Sequence, residues 1–301
     1  MICINCGCHV KSLYVKYSKN HIRLTDCPNC QQVVDKYVEF DMVLLFINLL
    51  LLKPGAYRHL VFNSLEMNLR DYPDHFDNYN IYDFRVFIKD WALWFKKYNR
   101  MNRIWLLLIT FEVYLTWVTE ESKYNNYYKD YKFNSRYKIV VWDILQISSP
   151  LHQYIYFAFY VIGDLTLLNK LTQQYLLKWA KWGTEYKYSN DIISYTMLLS
   201  HGAKIFPILM LIWPYDSLIS TSIIKWIANF YLIESLKIVT NKPYSQIILL
   251  FTCVFLIRCV VVKSVLTLIL SKGNIIEIQS YIRGEFELLR YRYLSKRDIF
   301  L

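Results

Sequence analysis

The chain has little glycine and little proline, seven of each in 301 residues, which excludes collagen-like repeats and low-complexity linkers built on those residues. The glycines are too scattered for a phosphate-cradling loop, and neither a GxGxxG fingerprint, a GxSxG elbow nor an HExxH helix occurs. No segment recurs at a fixed period. The opening MICINCGCHVK lacks the charged start and apolar core of a secretory signal, so the expectation is an N-terminus on the cytosolic side. Catalytic signatures being absent, the chain is not expected to be an enzyme.

What is present is apolar and aromatic. Hydrophobic residues make up 55% and aromatic residues 18%, including 27 tyrosines and 9 tryptophans, yet the mean hydropathy is only +0.18. A polar front joined to an apolar back accounts for that value. The net charge of +11 fits either a nucleic acid or an anionic membrane surface. The first thirty residues carry no dense Lys/Arg stripe, and much of the basic charge lies beside apolar segments. A membrane is therefore expected as partner, and a nucleic acid is not.

Five of the seven cysteines crowd the front: Cys3, Cys6, Cys8, Cys27 and Cys30. Cys253 and Cys259 stand in an apolar run and read as small packing residues. An odd count in so large a chain argues against a secreted disulfide framework. Cys3-x2-Cys6 and Cys27-x2-Cys30 are separated by twenty residues, at the upper edge of four-cysteine zinc spacing. Two residues between thiolates let one tight turn aim both sulfurs at one ion, and two such turns complete a tetrahedron. Four closed ligands leave no position for water, so the predicted ion is structural Zn2+ rather than catalytic; the competing readings are a redox CxxC pair or free thiols. Between the clasps, SLYVKYS places Leu13, Val15 and Tyr17 in alternation, SKN makes a turn, and HIRLT makes a second short strand. Cys8 reads as a spare thiol. His21 and Asp26 match the HxxxxD spacing of glycerolipid acyltransferases, but they fall inside the clasp, where chance explains them better.

The predicted fold is mainly α, a multi-pass integral membrane protein with a small N-terminal β zinc-ribbon-like domain. Residues 1–35 form the ribbon, and 36–65 carry a short helix at Met42–Leu52, too short to cross a bilayer and therefore buried or interfacial. Residues 66–103 are a polar linker whose WALWFKKYNRMNR offers aromatic and basic anchors. Membrane helices are predicted over 104–271, at 104–119, 151–170, 192–213, 219–239 and 247–270, and residues 272–301 form an amphipathic basic tail. PYDSL at 214–218 carries no basic residue, whereas 178–187 carries Lys178, Lys181 and Lys187, and 237–242 carries Lys237 and Lys242. The positive-inside rule puts the latter two in the cytosol, and counting back puts the N-terminus there as well. Residues 120–150, with Lys123, Lys129, Lys132, Arg136 and Lys138, run against that rule. If 247–270 were re-entrant the tail would return to the cytosol, so its side is open.

Seven charges fall inside apolar segments: Glu112, Asp164, Lys204, Lys225, Glu234, Arg258 and Lys263. Each costs about 2.5–3.5 kcal/mol at a helix centre facing lipid. Either they pair or snorkel, or the first six line a polar groove for a lipid headgroup or sterol hydroxyl. His201 reads as a hydrogen-bonded helix residue, Met197 and Met210 as packing.

The phrases CINC…CPNC, SLYVKYS…HIRLTDC, DKYVEFD and KPGAYRHLVFN together resemble the Arv homology domain, over about residues 1–65. The runs LTWVTEESKY, SYTMLLSHGAKIFPILMLIWPYDSLIS and IIKWIANFYLIESLKIVTN resemble the membrane part of fungal members of the Arv family. The resemblance implies an endoplasmic reticulum membrane protein, with the Golgi as a second location, that distributes sterols, balances sphingolipids and helps deliver intermediates of the glycosylphosphatidylinositol anchor. It carries over Cys3, Cys6, Cys27 and Cys30 as zinc ligands, with Cys8 outside the pattern, and it transfers no lipid-contacting residue. The implied partners are membrane lipids, sterol and anchor intermediates among them. The alternative is a zinc-ribbon scaffold that recruits lipid- or anchor-synthesis proteins without touching lipid.

Overall fold

The computed structural model describes residues 1–17, 21–72, 84–130, 138–147, 149–202, 217–271 and 273–298. They fall into two compact units. One comprises Met1–Leu108, Leu171–Phe206 and Lys225–Phe251; the other comprises Ile109–Lys170, Pro207–Ile224 and Thr252–Leu301.

The first unit begins with the expected strand pair, β1 (Tyr14–Lys16) antiparallel to β2 (Ile22–Leu24), with Val15 opposite Arg23. The predicted turn at 18–20 lies outside the described residues. The alternation read along β1 is not a buried face. Leu13 is buried with Cys3, Cys27 and Val34, but Val15 and Tyr17 are exposed. A single turn of 3-10 helix over Lys36–Val38 leads to α1 (Met42–Leu50). Then α2 (Pro54–Arg58), a π-helical stretch (His59–Ser64) and α3 (Leu65–Leu69) run on as one continuous helix. Pro54 suits a first turn, where its missing N–H is not needed. Gly55 is there for closeness: a Cβ on it would come within 3.1 Å of the Tyr37 ring. Ile4, Tyr37, Leu45 and Ala56 form the small core that joins ribbon to helices.

α4 (Phe84–Lys97) falls in the stretch predicted to be linker. The sequence reading weighed unbroken apolar length, and α4 is amphipathic instead, with Ile88, Trp91, Trp94 and Phe95 exposed and Lys96 and Lys97 in its last turn. α5 (Asn99–Asp130) is twice as long as the 104–119 span predicted inside it, at 32 residues, or about 48 Å. Its polar continuation EESKYNNYYKD contains no proline or glycine to stop it. α7 (Pro150–Gln174), α9 (Ser217–Thr240) and α10 (Tyr244–Leu270) lie close to the predicted segments 151–170, 219–239 and 247–270. α8 (Ser189–His201) covers the start of 192–213, the rest of which lies outside the described residues. Among the described residues, α10 alone is both long and apolar enough to cross a membrane. The other long helices are interrupted by Glu112, Asp164, Glu234 and their neighbours. Cys253 and Cys259 are exposed on α10 rather than packed.

In the second unit the unpredicted α6 (Val140–Ile147) packs on α10 and on α11 (Ile275–Asp298). Val140, Ile144, Leu266 and Tyr281 form that core, Tyr281 Oη donates to Asp143 at 2.8 Å, and Lys138 Nζ reaches Glu277 at 3.4 Å. α11 occupies the predicted tail. A side chain on Gly284 would collide with the Lys138 carbonyl, so the two backbones touch there.

Candidate metal centre

Local backbone geometry builds the cysteine site twice. In the first turn Cys3 N–H donates to the Cys8 carbonyl at 2.9 Å and Gly7 N–H to the Cys3 carbonyl at 2.9 Å; Gly7 has φ +77°. In the second, Cys27 N–H donates to the Gln32 carbonyl at 2.8 Å and Gln31 N–H to the Cys27 carbonyl at 2.9 Å; Gln31 has φ +56°. Each turn is flanked by a one-residue bridge, Ile2 to His9 and Asp26 to Val33. The two halves are equivalent, residue for residue, and each aims two sulfurs the same way.

The four sulfurs of Cys3, Cys6, Cys27 and Cys30 converge, all within 4.8 Å of one another. Cys3 Sγ lies 3.7 Å from Cys30 Sγ, and Cys6 Sγ lies 3.6 Å from Cys27 Sγ. A tetrahedron with metal–sulfur bonds of about 2.3 Å has sulfur–sulfur edges of about 3.8 Å. The cluster has the dimensions and donor set to hold a metal ion. Cys8 is not part of it: its thiol turns to the His9 carbonyl at 3.6 Å, and it serves the first turn through its own backbone. Burial pushes the Cys3 thiol up to about 12. A backbone hydrogen bond from Cys8 draws the Cys6 thiol down to about 6. Bare, the cluster keeps protons that a cation would displace.

Behind the clasp is a buried polar network that the sequence reading did not single out. Asp35 is wholly buried and accepts from Tyr37 N–H at 3.0 Å and Asn63 Nδ2 at 2.7 Å, with His59 Nδ1 at 2.7 Å. Asn63 then takes both backbone groups of Ile2, at 2.8 and 3.0 Å, and Arg58 donates to the Ile4 and Asn5 carbonyls. The wider π turn brings His59 and Asn63 to one carboxylate. The first cysteine turn is thereby bolted to the helix at 54–69. These residues sit in the phrases DKYVEFD and KPGAYRHLVFN, so the signal was present without its pairing.

Of the six predicted groove residues, Asp164 and Arg258 are brought together. Arg258 on α10 makes a two-pronged contact with Asp164 on α7, its Nε 2.7 Å from Oδ1 and its Nη2 bonded to Oδ2. Glu234 belongs to the first unit and accepts from Tyr244 Oη at 2.8 Å, beside Lys237, whose ammonium lies over the same ring. Glu112 is half-buried on α5. Lys204 lies outside the described residues, and Lys225 is on α9 without a described side chain. Lys263 pairs with Glu285 at 2.6 Å. His201 reaches the Met197 carbonyl at 2.8 Å and Met197 is buried, as expected; Met210 lies outside the described residues.

Fold and site define a class: a four-cysteine clasp bolted to a helical body that includes a helix able to cross a bilayer. Comparison with known proteins agrees. The Arv1-like family model matches residues 2–236, and the chain belongs to that family. The "Protein ARV1" of Eremothecium gossypii is 64% identical over 301 residues, covering 100% of both chains. That of Saccharomyces cerevisiae is 51% identical, over 96% of this chain and 97% of its own. The Homo sapiens "Protein ARV1" is 45% identical over 62 residues, 21% of this chain and 23% of its own. No solved structure matches.

Proposed function

We propose that this chain is a multi-pass protein of the endoplasmic reticulum membrane, extending to the Golgi, that handles sterol and related lipids without chemical conversion. Its Zn2+-held head lies on the cytosolic face. Family membership supports the lipid role, in sterol distribution, sphingolipid balance and delivery of glycosylphosphatidylinositol intermediates. The thiolate set and sulfur spacing support zinc.

The observation that carries this reading is the surface of α1. A helix bathed in water hides its apolar face, yet here Met42, Val43, Leu44, Phe46 and Ile47 are exposed while Asn48 is buried. Tyr231 on α9 donates to the Leu50 carbonyl at 2.7 Å, closing the end of α1. Tyr231 is eight residues inside the predicted end of the 219–239 span, about 12 Å below the membrane boundary. An apolar helix held at that depth is an in-plane anchor, and it shares a core with Ile4 of the first cysteine turn. The clasp is thus tied directly to a lipid-embedded element.

The contact of α6 with α11 supports five crossings. α6 follows the first predicted span and α11 the last, with four spans between them. Four crossings return the chain to the same side; three, with α10 re-entrant, would not.

The test is labelling of the detergent-purified chain with a photoactivatable sterol. Saturable labelling, displaced by unlabelled sterol, is expected. Its absence would favour the scaffold, in which the head recruits lipid- or anchor-synthesis proteins and the helices carry no cargo.

A further inference from the structure

The segment joining the π-helical stretch Tyr175–Trp179 to α8 is folded back on itself and seated against the ribbon. Trp182 N–H donates to the Leu176 carbonyl at 2.9 Å, and Tyr186 N–H donates to the Gly183 carbonyl at 3.1 Å. Gly183, at φ +83°, lies so close to the start of α8 that a Cβ on it would come within 3.0 Å of Ser189. The turn so formed aims the Tyr186 ring at three others. Its centroid is 5.0 Å from that of Phe62, 5.7 Å from Trp182 and 5.2 Å from His9. Phe62 and Trp182 belong to the helical body, and His9 belongs to the first cysteine turn. All four fall in the first unit.

The two sides of this joint are held differently. Phe62 sits in the helix at 54–69, and Asn63 of that helix fastens both backbone groups of Ile2. His9 depends on the turn itself: its backbone bridges Ile2, and the Cys3 N–H to Cys8 carbonyl bond closes the turn between them. Two of the four sulfur ligands, Cys3 and Cys6, lie within that turn. A filled clasp therefore fixes His9, whereas an empty one lets the turn fray while the helix keeps its own hydrogen bonds. Beside the rings is a cavity of about 170 Å³ bordered by Ile2, His9, Phe62, Leu65, Tyr186 and Ile192, with room for about five waters. Close-packed interiors seldom leave such a void, and here it lets the Tyr186 ring part from His9 without compressing a neighbour.

We propose that Tyr186 is a latch by which the metal-loaded ribbon orders residues 181–188, so that a segment between two helices of the body senses whether the clasp is filled. The proposal rests on the zinc reading and gives the ion a consequence beyond folding the ribbon. Such coupling is reciprocal: zinc that orders the loop is itself held more tightly, by the same factor. One aromatic contact sets that factor at about three- to tenfold. The test uses the full chain in detergent, with free zinc set by a chelator of known affinity. Loop order is read by hydrogen exchange of the backbone amides over 182–188. Removing zinc should speed exchange there in the parent chain. In His9→Ala, whose side chain is exposed, and in Tyr186→Ala, exchange should no longer depend on the ion, and zinc should bind about three- to tenfold more weakly. The double variant should bind no more weakly than either single one, because both lose the same contact. His9→Phe, which keeps a ring, should retain the parental affinity. Exchange that ignores zinc in a zinc-binding parent overturns the latch, as does a double variant whose weakening is the product of the two single ones. Should Tyr186→Ala fail to fold, His9→Ala decides alone, and unchanged affinity overturns the latch. Each of these results leaves the metal reading standing; a full chain that takes up no zinc removes both.

Discussion

Gly7 and Gln31 occupy the same place in the two cysteine turns, both at positive φ, but only one is a glycine. An L side chain in the left-handed region costs about 1–2 kcal/mol, so Gly7→Ala should destabilise by about that much. No atom stands near its missing Cβ, leaving backbone strain as the sole cause. Gln31→Gly should leave stability unchanged or raise it; thermal melts of the metal-loaded chain read both. The thiols titrate in opposite directions. Folding favours the Cys6 thiolate, so its contribution is present above the ordinary value of 9.0 and lost as pH falls through about 6. Folding favours the neutral Cys3 thiol, whose contribution is present below 9.0 and lost as pH rises toward about 12. At pH 7 a metal must therefore expel the Cys3 proton. Zinc loading in weak buffer should release at least one proton per ion, followed with a pH indicator, and affinity should fall about tenfold per pH unit for each proton displaced. Elemental analysis should find one zinc per chain, lost in the Cys27→Ser, Cys30→Ser variant.

Elements show how far a sequence carries. The clasp was legible because its ligands are two residues apart, and covalent spacing alone decides what a tight turn can do. Asp35, His59 and Asn63 were not, because their meeting depends on a π turn that no periodicity announces. Removing Asp35 would strand those partners in a dry interior; Asp35→Ala should cost about 3 kcal/mol and loosen zinc as well, since Asn63 would lose part of its hold on Ile2. α7, α9 and α10 were legible as apolar runs, whereas α6 was not, since eight residues form a helix only where α10 and α11 receive them. Periodicity says which residues share a face, not which helix that face meets, so it named Asp164 and Arg258 without naming them as a pair. Gly284 gives the test of this packing. Gly284→Ala should destabilise the second unit by about 1–3 kcal/mol through overpacking against Lys138, while zinc content stays at the parental value.

At the scale of the molecule, sidedness ties head to body. The arrangement proposed above puts the ribbon in the cytosol, where thiols stay reduced, and the sparing of Lys and Arg at 214–218 fits that proposal. The basic residues of 120–150 and of the tail both resist that assignment when taken separately. The α6–α11 contact turns two objections into one: whatever side holds Lys138 also holds Glu277, three-dimensional packing having joined them. Part of that charge is already answered within the protein, as Lys138 meets Glu277 and Lys263 meets Glu285, which lowers its weight as a topogenic signal. In sealed endoplasmic reticulum vesicles, with Cys253 and Cys259 replaced by serine, an impermeant maleimide should label Cys8 at once. Ile276→Cys, at a position 78% exposed, and Lys138→Cys should label only after the membrane is opened, and should do so together. If either of that pair labels with Cys8 in intact vesicles, the five-crossing arrangement fails; if the two separate from each other, the α6–α11 contact fails with it.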